Sequence, residues 1–150
     1  MANCGTTITK MADRPGAKRK ASAATIVARL TKDIRDFQKR NKLDRVVVLN
    51  VSSTEPPFSI GAMHRKWSSL SKALDKRAAS PLPASSLYAL AAIEAGASYI
   101  NFTPCIGIDI PALRERADAC GTPYMGCDGK TGETLMKSVL APMFPARNLN

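Results

Sequence analysis

This sequence has no long apolar run and no closely paired cysteines, and it has only one histidine. Each of these shortages argues against one class of protein. No stretch approaches the roughly 20 uninterrupted apolar residues of a membrane helix, and the first residues lack the basic-then-apolar order of a secretory signal. The four cysteines show no C-x-x-C spacing and the single histidine, His64, is remote from them, which argues against a metal site or a disulfide framework. We therefore predict a cytoplasmic protein that holds no metal and does not bind a membrane.

Acidic residues are also scarce, 12 against 22 lysines and arginines, and the net charge is +10. Such an excess can indicate nucleic acid, because basic side chains that neutralise phosphates release counterions. The first 45 residues hold 12 of the basic and 4 of the acidic residues, and therefore +8 of the net charge. No aromatic residue interleaves with the basic run at 18–20 to stack on bases. We favour a solvated tail and helix face, and predict no nucleic-acid partner.

The 150 residues, 45% of them apolar, are enough for one domain with a core and too few for two ordinary domains. Residues 1–20 are small, polar and basic without periodicity, and we predict a flexible lead-in there. Residues 21–150 are predicted to form a single α/β unit. The predicted order is α-β-α-α-β-α-β-α, with elements near 22–41, 46–49, 63–74, 86–95, 98–102, 111–120, 123–125 and 131–141.

The apolar pattern predicts how these elements are buried. The β-branched run 46–49 is typical of a parallel strand that is covered on both faces. The segment 86–95 is apolar nearly all round and is predicted to be a buried helix, with another subunit as one possible cover. The last helix is predicted to end at Pro142, because proline disrupts a helix interior. Strands separated by helices imply parallel pairing, and ligands in such sheets bind beyond the carboxyl ends of the strands.

Three segments rich in small polar residues follow the predicted strands, at 51–55, 101–106 and 126–134. The third places hydroxyls and backbone amides at a helix start, where free N–H groups and the helix dipole favour phosphate. From the residues alone, Thr131 is equally well explained as a helix cap. A Walker A loop is excluded, because that motif requires glycine at the position of Tyr124.

The remaining candidates have ordinary structural explanations. The hydroxyls of 51–54 suit a cofactor or the turn's own backbone, and Asn101 is a common turn residue. His64 is predicted to lie on the surface. Cys105, Cys120 and Cys127 are predicted to be small packing residues instead of nucleophiles, because no histidine accompanies them. No G-x-G-x-x-G occurs, so a complete dinucleotide-binding domain is not expected.

Taken in order, four motifs resemble those of the inositol-3-phosphate synthases. That family carries a strand running into T-A-N-T-E, then L-P-A-S-x-L-Y-A-L-A, then N-G-S-P before a P-x-L helix, then G-D-D-x-K-S-G-Q-T-x-x-K-S-V-L. The matching stretches here are Val46 to Glu55, Leu82 to Ala92, Asn101 to Leu113 and Gly126 to Leu140. The similarity extends from about Ala17 to Asn148.

The resemblance implies a partial Rossmann-like parallel sheet flanked by helices, running into the start of the family's catalytic and oligomerisation domain. It implies an isomerase that uses tightly held NAD to oxidise C5 of glucose 6-phosphate, closes the ring by an intramolecular aldol step and returns the hydride. The product is inositol 3-phosphate, for inositol and phospholipid biosynthesis. A homo-oligomer or a complementing chain is the implied protein partner.

The resemblance also implies site residues. The residues that match NAD contacts are Val51, Ser52, Ser53, Thr54, Asn101 and Thr103. The residues that match the substrate-phosphate site are Thr131, Gly132, Glu133 and Thr134, and the predicted catalytic residues are Asp128 and Lys130. Cys127 stands where the family has the first of two aspartates, and Glu133 replaces glutamine beside the phosphate. These changes favour a divergent branch with the same chemistry, with a changed substrate as the alternative.

Family members are much longer, with a glycine-rich loop upstream and an N-N-D-G segment and lysines downstream. The isolated chain is therefore expected to be inactive. A truncated or split subunit that acts as a binding or assembly fragment is the second hypothesis. Whether Lys130 or Lys137 replaces a family lysine stays open.

Overall fold

The computed structural model describes residues 21–76, 79–129 and 134–148, so the predicted lead-in at 1–20 lies outside the described residues. The elements in chain order are α1 (Ala23–Arg40), β1 (Val47–Asn50), a 3-10 turn (Ala62–His64), α2 (Trp67–Leu74), α3 (Ala84–Ala95), β2 (Ser98–Asn101), α4 (Pro111–Ala119), β3 (Tyr124–Met125) and α5 (Thr134–Ala146). The predicted alternation of helices and strands is confirmed. No helix in these ranges is long and apolar enough to cross a membrane.

Helix α1 has clear start and stop signals. The Ser22 hydroxyl accepts a hydrogen bond from the Thr25 amide, which satisfies one of the free N–H groups of the first turn. Lys39 and Arg40 occupy the last turn, where the helix dipole favours positive charge. Ile26 lies on the buried side of the helix, as the apolar spacing predicts.

The three strands form one parallel sheet in the order β1-β2-β3. Leu49 pairs with Ile100, and Ile100 pairs with Met125, so these three residues form a row across the sheet. The predicted α/β parallel sheet is confirmed. All strands run the same way and their order never reverses, so right-handed crossovers lay α2, α3 and α4 on one face.

The prediction that β1 is covered on both faces is wrong. One face, which we call the outer face, carries Val47, Leu49 and Met125, whose side chains are 56%, 52% and 70% exposed. The opposite, inner face carries Val48 and Tyr99 and packs against the hydrophobic core. The apolar run indicates a strand that can be covered twice, but the described residues supply a helical layer on one face only.

Helix α3 lies at the centre of the core. Its side chains are buried on almost every side, and Leu87 is fully buried, as the apolar segment predicts. The cover comes from within the chain, because α1 packs along α3 and the sheet and α4 contact it from other sides. The Thr31 hydroxyl in α1 donates to the Ala91 carbonyl at 3.3 Å, and Gly96 ends the helix in a left-handed conformation.

The prediction of a surface histidine is wrong. His64 is only 6% exposed; its Nδ1 accepts from the Gly61 amide and its Nε2 donates to the Pro81 carbonyl, each at 2.8 Å. The Phe58 ring packs edge-on against the imidazole, with centroids 5.1 Å apart. The sequence places His64 on a helix, whereas the structure places it in a 3-10 turn before α2, from which its side chain turns inward.

Helix α5 ends later in the chain than predicted. It continues through Pro142 and Pro145 to Ala146 instead of ending at Pro142. Proline has a helix-compatible φ. Its missing N–H donor and the clash of its ring with the preceding turn can therefore kink or weaken a helix without ending it. The described side chains of α5, from Lys137 onward, are exposed.

Candidate functional site

The loops that follow the three strands meet at one edge of the sheet. The Phe102 amide donates to the Asn50 carbonyl at 2.9 Å, which joins the second loop to the end of β1. The Asp128 amide donates to the Thr103 carbonyl at 2.9 Å, and the Gly129 amide donates to the Phe102 carbonyl at 3.4 Å. Sequence elements that are far apart in the chain are thereby held at the edge where parallel sheets bind ligands.

Asn50, which the sequence analysis did not single out, lies at the centre of this edge. Its Nδ2 donates to Asn101 Oδ1 at 3.0 Å and to Thr103 Oγ1 at 3.2 Å. Its Oδ1 accepts from the Ser52 amide and from the Ser52 hydroxyl, at 3.2 and 2.8 Å. One amide side chain thus connects the first predicted cofactor loop to the second. A strand that ends in Asn before a polar loop is the sequence signal that could have indicated it.

The predicted cofactor residues Asn101 and Thr103 are buried, and Asn101 is 1% exposed. Asn101 Oδ1 accepts from the Thr103 amide at 3.3 Å and from the Thr103 hydroxyl at 2.9 Å, while its Nδ2 donates to the Cys105 carbonyl at 2.6 Å. Every polar atom of the Asn101 side chain therefore has a partner within the protein. The structure gives both residues a role in shaping the loop, and their direct contact with a cofactor stays a prediction.

The other predicted cofactor residues, Val51, Ser52, Ser53 and Thr54, are all exposed. Glu55, next in the chain, is half-buried and anchors the loop. Its Oε1 accepts from the Ser85 amide at 3.0 Å, and its Oε2 accepts from the Ser85 hydroxyl. The loop therefore presents its small polar residues to solvent while its end is fixed to α3.

The second loop is fixed to α3 as well. The Ser86 hydroxyl donates to the Gly107 carbonyl at 2.6 Å, and the Gly107 amide donates to Ser85 Oγ at 3.3 Å. Beneath them the Tyr99 hydroxyl donates to the Ser85 carbonyl at 3.2 Å. Tyr99 is fully buried, and this burial raises the pKa of its hydroxyl far above the usual value. The amino-terminal turn of α3 is therefore the common anchor of two loops.

The third loop begins with a turn that only glycine permits. Gly126 has φ +87°, and a Cβ there would lie 2.6 Å from the Asn101 carbonyl oxygen. A Cβ on Gly129 would lie 1.9 Å from the Phe102 ring. Between them, the predicted catalytic residue Asp128 has φ +69°, a conformation that non-glycine residues rarely adopt and that is enriched at functional sites.

Several predicted residues cannot be placed at this edge. Lys130, Thr131, Gly132 and Glu133 lie outside the described residues, and Thr134 is the first residue of α5. Their catalytic and phosphate-binding roles stay predictions. Among the residues that the structure describes, no three histidine, cysteine or acidic side chains are grouped so that they could hold a metal ion.

The described edge fits part of a dinucleotide site. An exposed loop of hydroxyls and amides, 51–54, follows a parallel strand, and its neighbour Asn50 fixes the base of that loop. Such groups suit ribose and phosphate oxygens. The glycine-rich turn that holds a pyrophosphate is not part of this sequence, so the edge supplies one side of such a site.

Comparison with known proteins points to one family. An NAD-binding family model, described as myo-inositol-1-phosphate synthase, matches residues 6–144. Inositol-3-phosphate synthase 1 of Bacteroides thetaiotaomicron is 39% identical over 132 residues, which cover 88% of this chain and 31% of the relative. Inositol-3-phosphate synthase 1 of Oryza sativa subsp. japonica is 38% identical over 115 residues, which cover 76% of this chain and 22% of the relative.

A solved structure agrees with these matches. The crystal structure of inositol-3-phosphate synthase from Caenorhabditis elegans has a TM-score of 0.69 to this chain at 25% identity, over 85% of this chain and 25% of that one. The chain therefore spans between about a fifth and a third of the length of the proteins it matches.

Proposed function

The chain belongs to the myo-inositol-1-phosphate synthase family, as its motifs predict, and we propose that it supplies one side of the cofactor and substrate site for the conversion of glucose 6-phosphate into inositol 3-phosphate. The predicted cofactor, NAD, agrees with the family model, which is an NAD-binding one. The observation that carries the proposal is the meeting of the three strand-end loops at the carboxyl edge of a parallel sheet. The proposal includes a cytoplasmic location and a place in inositol and phospholipid biosynthesis.

In this proposal, the residues of this chain bind and orient the cofactor and the substrate. The chemistry that bound NAD would supply is reversible hydride transfer with the sugar, with no net oxidation. The exposed loop 51–54 offers hydroxyls and amides to the cofactor, and Asn50 and Asn101 hold that loop in register with its neighbour. Asp128, in its left-handed turn, is the group that we assign to proton transfer near the reacting carbons.

The substrate phosphate is assigned to the residues that lead into α5. The described helix begins at Thr134, so the segment 131–134 directly precedes and opens it. Free amides and the positive end of the helix dipole favour an anion at such a position. Lys130, just before this segment, is the second residue that we assign to the chemistry.

A second candidate is a binding or assembly fragment, and the outer face of the sheet favours it. Parallel sheets are almost always covered on both faces, yet Val47, Leu49 and Met125 are exposed apolar side chains here. The chain also spans only 31% of its Bacteroides relative. The partner that we propose is a homo-oligomeric copy or a complementing chain that covers this face.

The experiment that tests the enzymatic proposal is a chimera. Residues 17–148 of this chain replace the matching segment of the Bacteroides thetaiotaomicron relative, and release of inositol phosphate from glucose 6-phosphate and NAD is measured. We expect activity in the chimera. Asp128→Asn should lower turnover with little change in the KM for glucose 6-phosphate, whereas Gly132→Pro, which removes one backbone amide, should raise that KM.

The isolated 150-residue chain is the second arm of the experiment. We expect no inositol phosphate from it, because transition-state stabilisation requires groups that this chain does not contain. Product from the isolated chain would show that no complementing chain is needed. A folded chimera that binds NAD and forms no inositol phosphate would contradict the enzymatic proposal and leave the assembly role.

A further inference from the structure

We propose that Glu55 is a positioning residue, which holds the cofactor loop 51–54 in place by capping the amino terminus of α3. The loop's contact with NAD rests on the proposed function. The capping itself rests on the geometry of the chain alone. The described contacts of Glu55 are with Ser85 and Cys105, and its role is to fix the loop that precedes it.

Helix α3 lacks a cap from its own sequence. Its amino-terminal flanking residue is Pro83, whose side chain makes no capping hydrogen bond, and its first turn has no acidic residue. The first amides of a helix need acceptors, and the helix dipole favours negative charge beside them. Glu55 supplies both from a distant part of the chain, since its Oε1 accepts from the Ser85 amide at 3.0 Å. This bond is charge-assisted and therefore stronger than one between neutral groups.

The same residue fastens the loop at several points. Its carboxylate also accepts from the Ser85 hydroxyl, and Ser85 Oγ in turn accepts from the Gly107 amide. The Glu55 amide donates to Cys105 Sγ at 3.2 Å, and the Cys105 thiol lies 3.7 Å from the Ser53 carbonyl. The first loop, the second loop and α3 thus meet at this one glutamate.

The position of Glu55 in the chain makes this anchor important. Residues 51–61 form neither helix nor strand, so no ladder of backbone hydrogen bonds holds the loop beyond the end of β1. Asn50 fixes the start of the loop through Ser52, and Glu55 fixes its end. Loss of the second anchor should free 51–54 while the buried core stays intact, because those four residues are exposed.

Glu115 provides a matched control. Its carboxylate accepts from the Trp67 amide at 2.7 Å, so it also caps a helix, α2, from a distant part of the chain. Among the described residues, its carboxylate makes no hydrogen bond with the cofactor loop or with the loop after β2. Glu115→Ala therefore removes the same kind of interaction without loosening residues 51–54.

The test measures amide hydrogen exchange in the 150-residue chain and NAD affinity in the chimera. Glu55→Ala should speed exchange of the hydrogen-bonded amides of residues 52 and 55, which donate to Asn50 Oδ1 and Cys105 Sγ. It should also weaken NAD binding, and each effect should be about tenfold, the size expected for one charge-assisted hydrogen bond. Glu55→Gln, which keeps an acceptor for the Ser85 amide, should restore most of both. Glu115→Ala should change neither, even where it lowers the melting temperature as much as Glu55→Ala does.

Unchanged exchange of the amides of residues 52 and 55 in a folded Glu55→Ala chain would overturn the proposal. Equal effects of Glu55→Ala and Glu115→Ala on exchange and NAD affinity would also overturn it, because they would indicate a general loss of stability. A chimera with the native Glu55 that binds no NAD would contradict the proposed function instead. In that case the exchange measurement still decides whether Glu55 holds the loop.

Discussion

Val47 and Val48 are neighbours in β1 with identical side chains, and they lie in different environments. Val47 is 56% exposed on the outer face, whereas Val48 packs against the core on the inner face. Successive residues of a strand point to opposite faces, so the difference follows from which face carries a layer of helices. Hydrophobicity makes a residue suitable for burial, and the topology of the chain decides whether it is buried.

The difference between the faces has a topological cause. A doubly wound sheet covers both faces because its strand order reverses at a switch point, after which the crossovers lie on the opposite side. The described strands contain no reversal, since their order is β1-β2-β3. A strand that follows β3 in the chain and pairs beside β1 would create the reversal, and the crossover leading to it would cover the outer face.

The largest expected effect is a difference in the free energy of unfolding between two leucine-to-alanine variants. Leu87 in α3 is fully buried against the inner face, and Leu49 is 52% exposed on the outer face. Leu87→Ala should lower the free energy of unfolding by about 3 kcal/mol, because it removes buried apolar area and leaves a cavity. Leu49→Ala should lower it by less than about 1 kcal/mol. Urea denaturation of both variants measures this, and equal losses would show that the outer face is covered in solution.

A lysine at each of the two valines sharpens the comparison. Val48→Lys should cost about 2–3 kcal/mol, because the charge must leave water or displace the packed residues around it. Val47→Lys should change the free energy of unfolding by less than about 0.5 kcal/mol, since the new ammonium stays in solvent. Thermal unfolding at matched protein concentration gives both values. A reversal of this order would mean that the faces are assigned the wrong way round.

A smaller effect tests the polar anchor beneath the inner face. Tyr99→Phe removes the hydrogen bond to the Ser85 carbonyl and should cost about 1 kcal/mol near neutral pH. Burial raises the pKa of Tyr99, so the folded protein keeps a proton that the unfolded chain loses above about pH 10. The stability from this group is complete below about pH 10 and is lost as the pH rises toward the folded pKa.

The measurement is the free energy of unfolding at about pH 8 and about pH 11. Between these two pH values, the free energy of unfolding of the native chain should fall by roughly 1.4 kcal/mol more than that of Tyr99→Phe. The reason is that the higher pH lies about one unit above the pKa of tyrosine in the unfolded chain. An identical loss in the native chain and Tyr99→Phe would place the Tyr99 hydroxyl in solvent.

Much of the fold follows from local patterns. The spacing of apolar residues predicts α1, and the all-round apolar segment predicts the buried α3, because both patterns directly reflect what must be removed from water. Gly96 and Gly121 mark helix ends because their left-handed φ is costly for other residues. Parallel pairing follows from the alternation of strands with helices.

What the sequence analysis missed depends on contacts between distant residues. His64 is buried because the Pro81 carbonyl and the Gly61 amide satisfy its two nitrogens, and neither partner is evident from helical spacing. The covering of only one sheet face depends on strand order, which a run of valines does not encode. Pro142 stops a helix in most contexts, yet α5 passes through it.

The candidate site also has features that the sequence predicts and features that depend on contacts between distant residues. Polar loops after strands can be read from the sequence, and the structure brings the three loops to one edge. Asn50 and Glu55 make side-chain contacts with residues at least 30 positions away in the chain, so local sequence does not show which residues they contact. The family resemblance supplies the roles of Asp128 and of the segment 131–134, which geometry alone does not assign.

The smallest expected effect in the isolated chain is also the sharpest test of the outer face. Leu49 lies at one end of the apolar row that continues through Ile100 to Met125. In the isolated chain Leu49→Lys should change the free energy of unfolding by less than about 0.5 kcal/mol, because its side chain is already in solvent. In the chimera, where the partner layer is expected to cover this row, the same change should cost about 2 kcal/mol or more, because it buries an unpaired charge. Val139→Lys on α5, at a side chain that is 62% exposed, is the matched control for an added charge. Equal and small effects of Leu49→Lys in both proteins would mean that the outer face stays open and that its partner lies elsewhere.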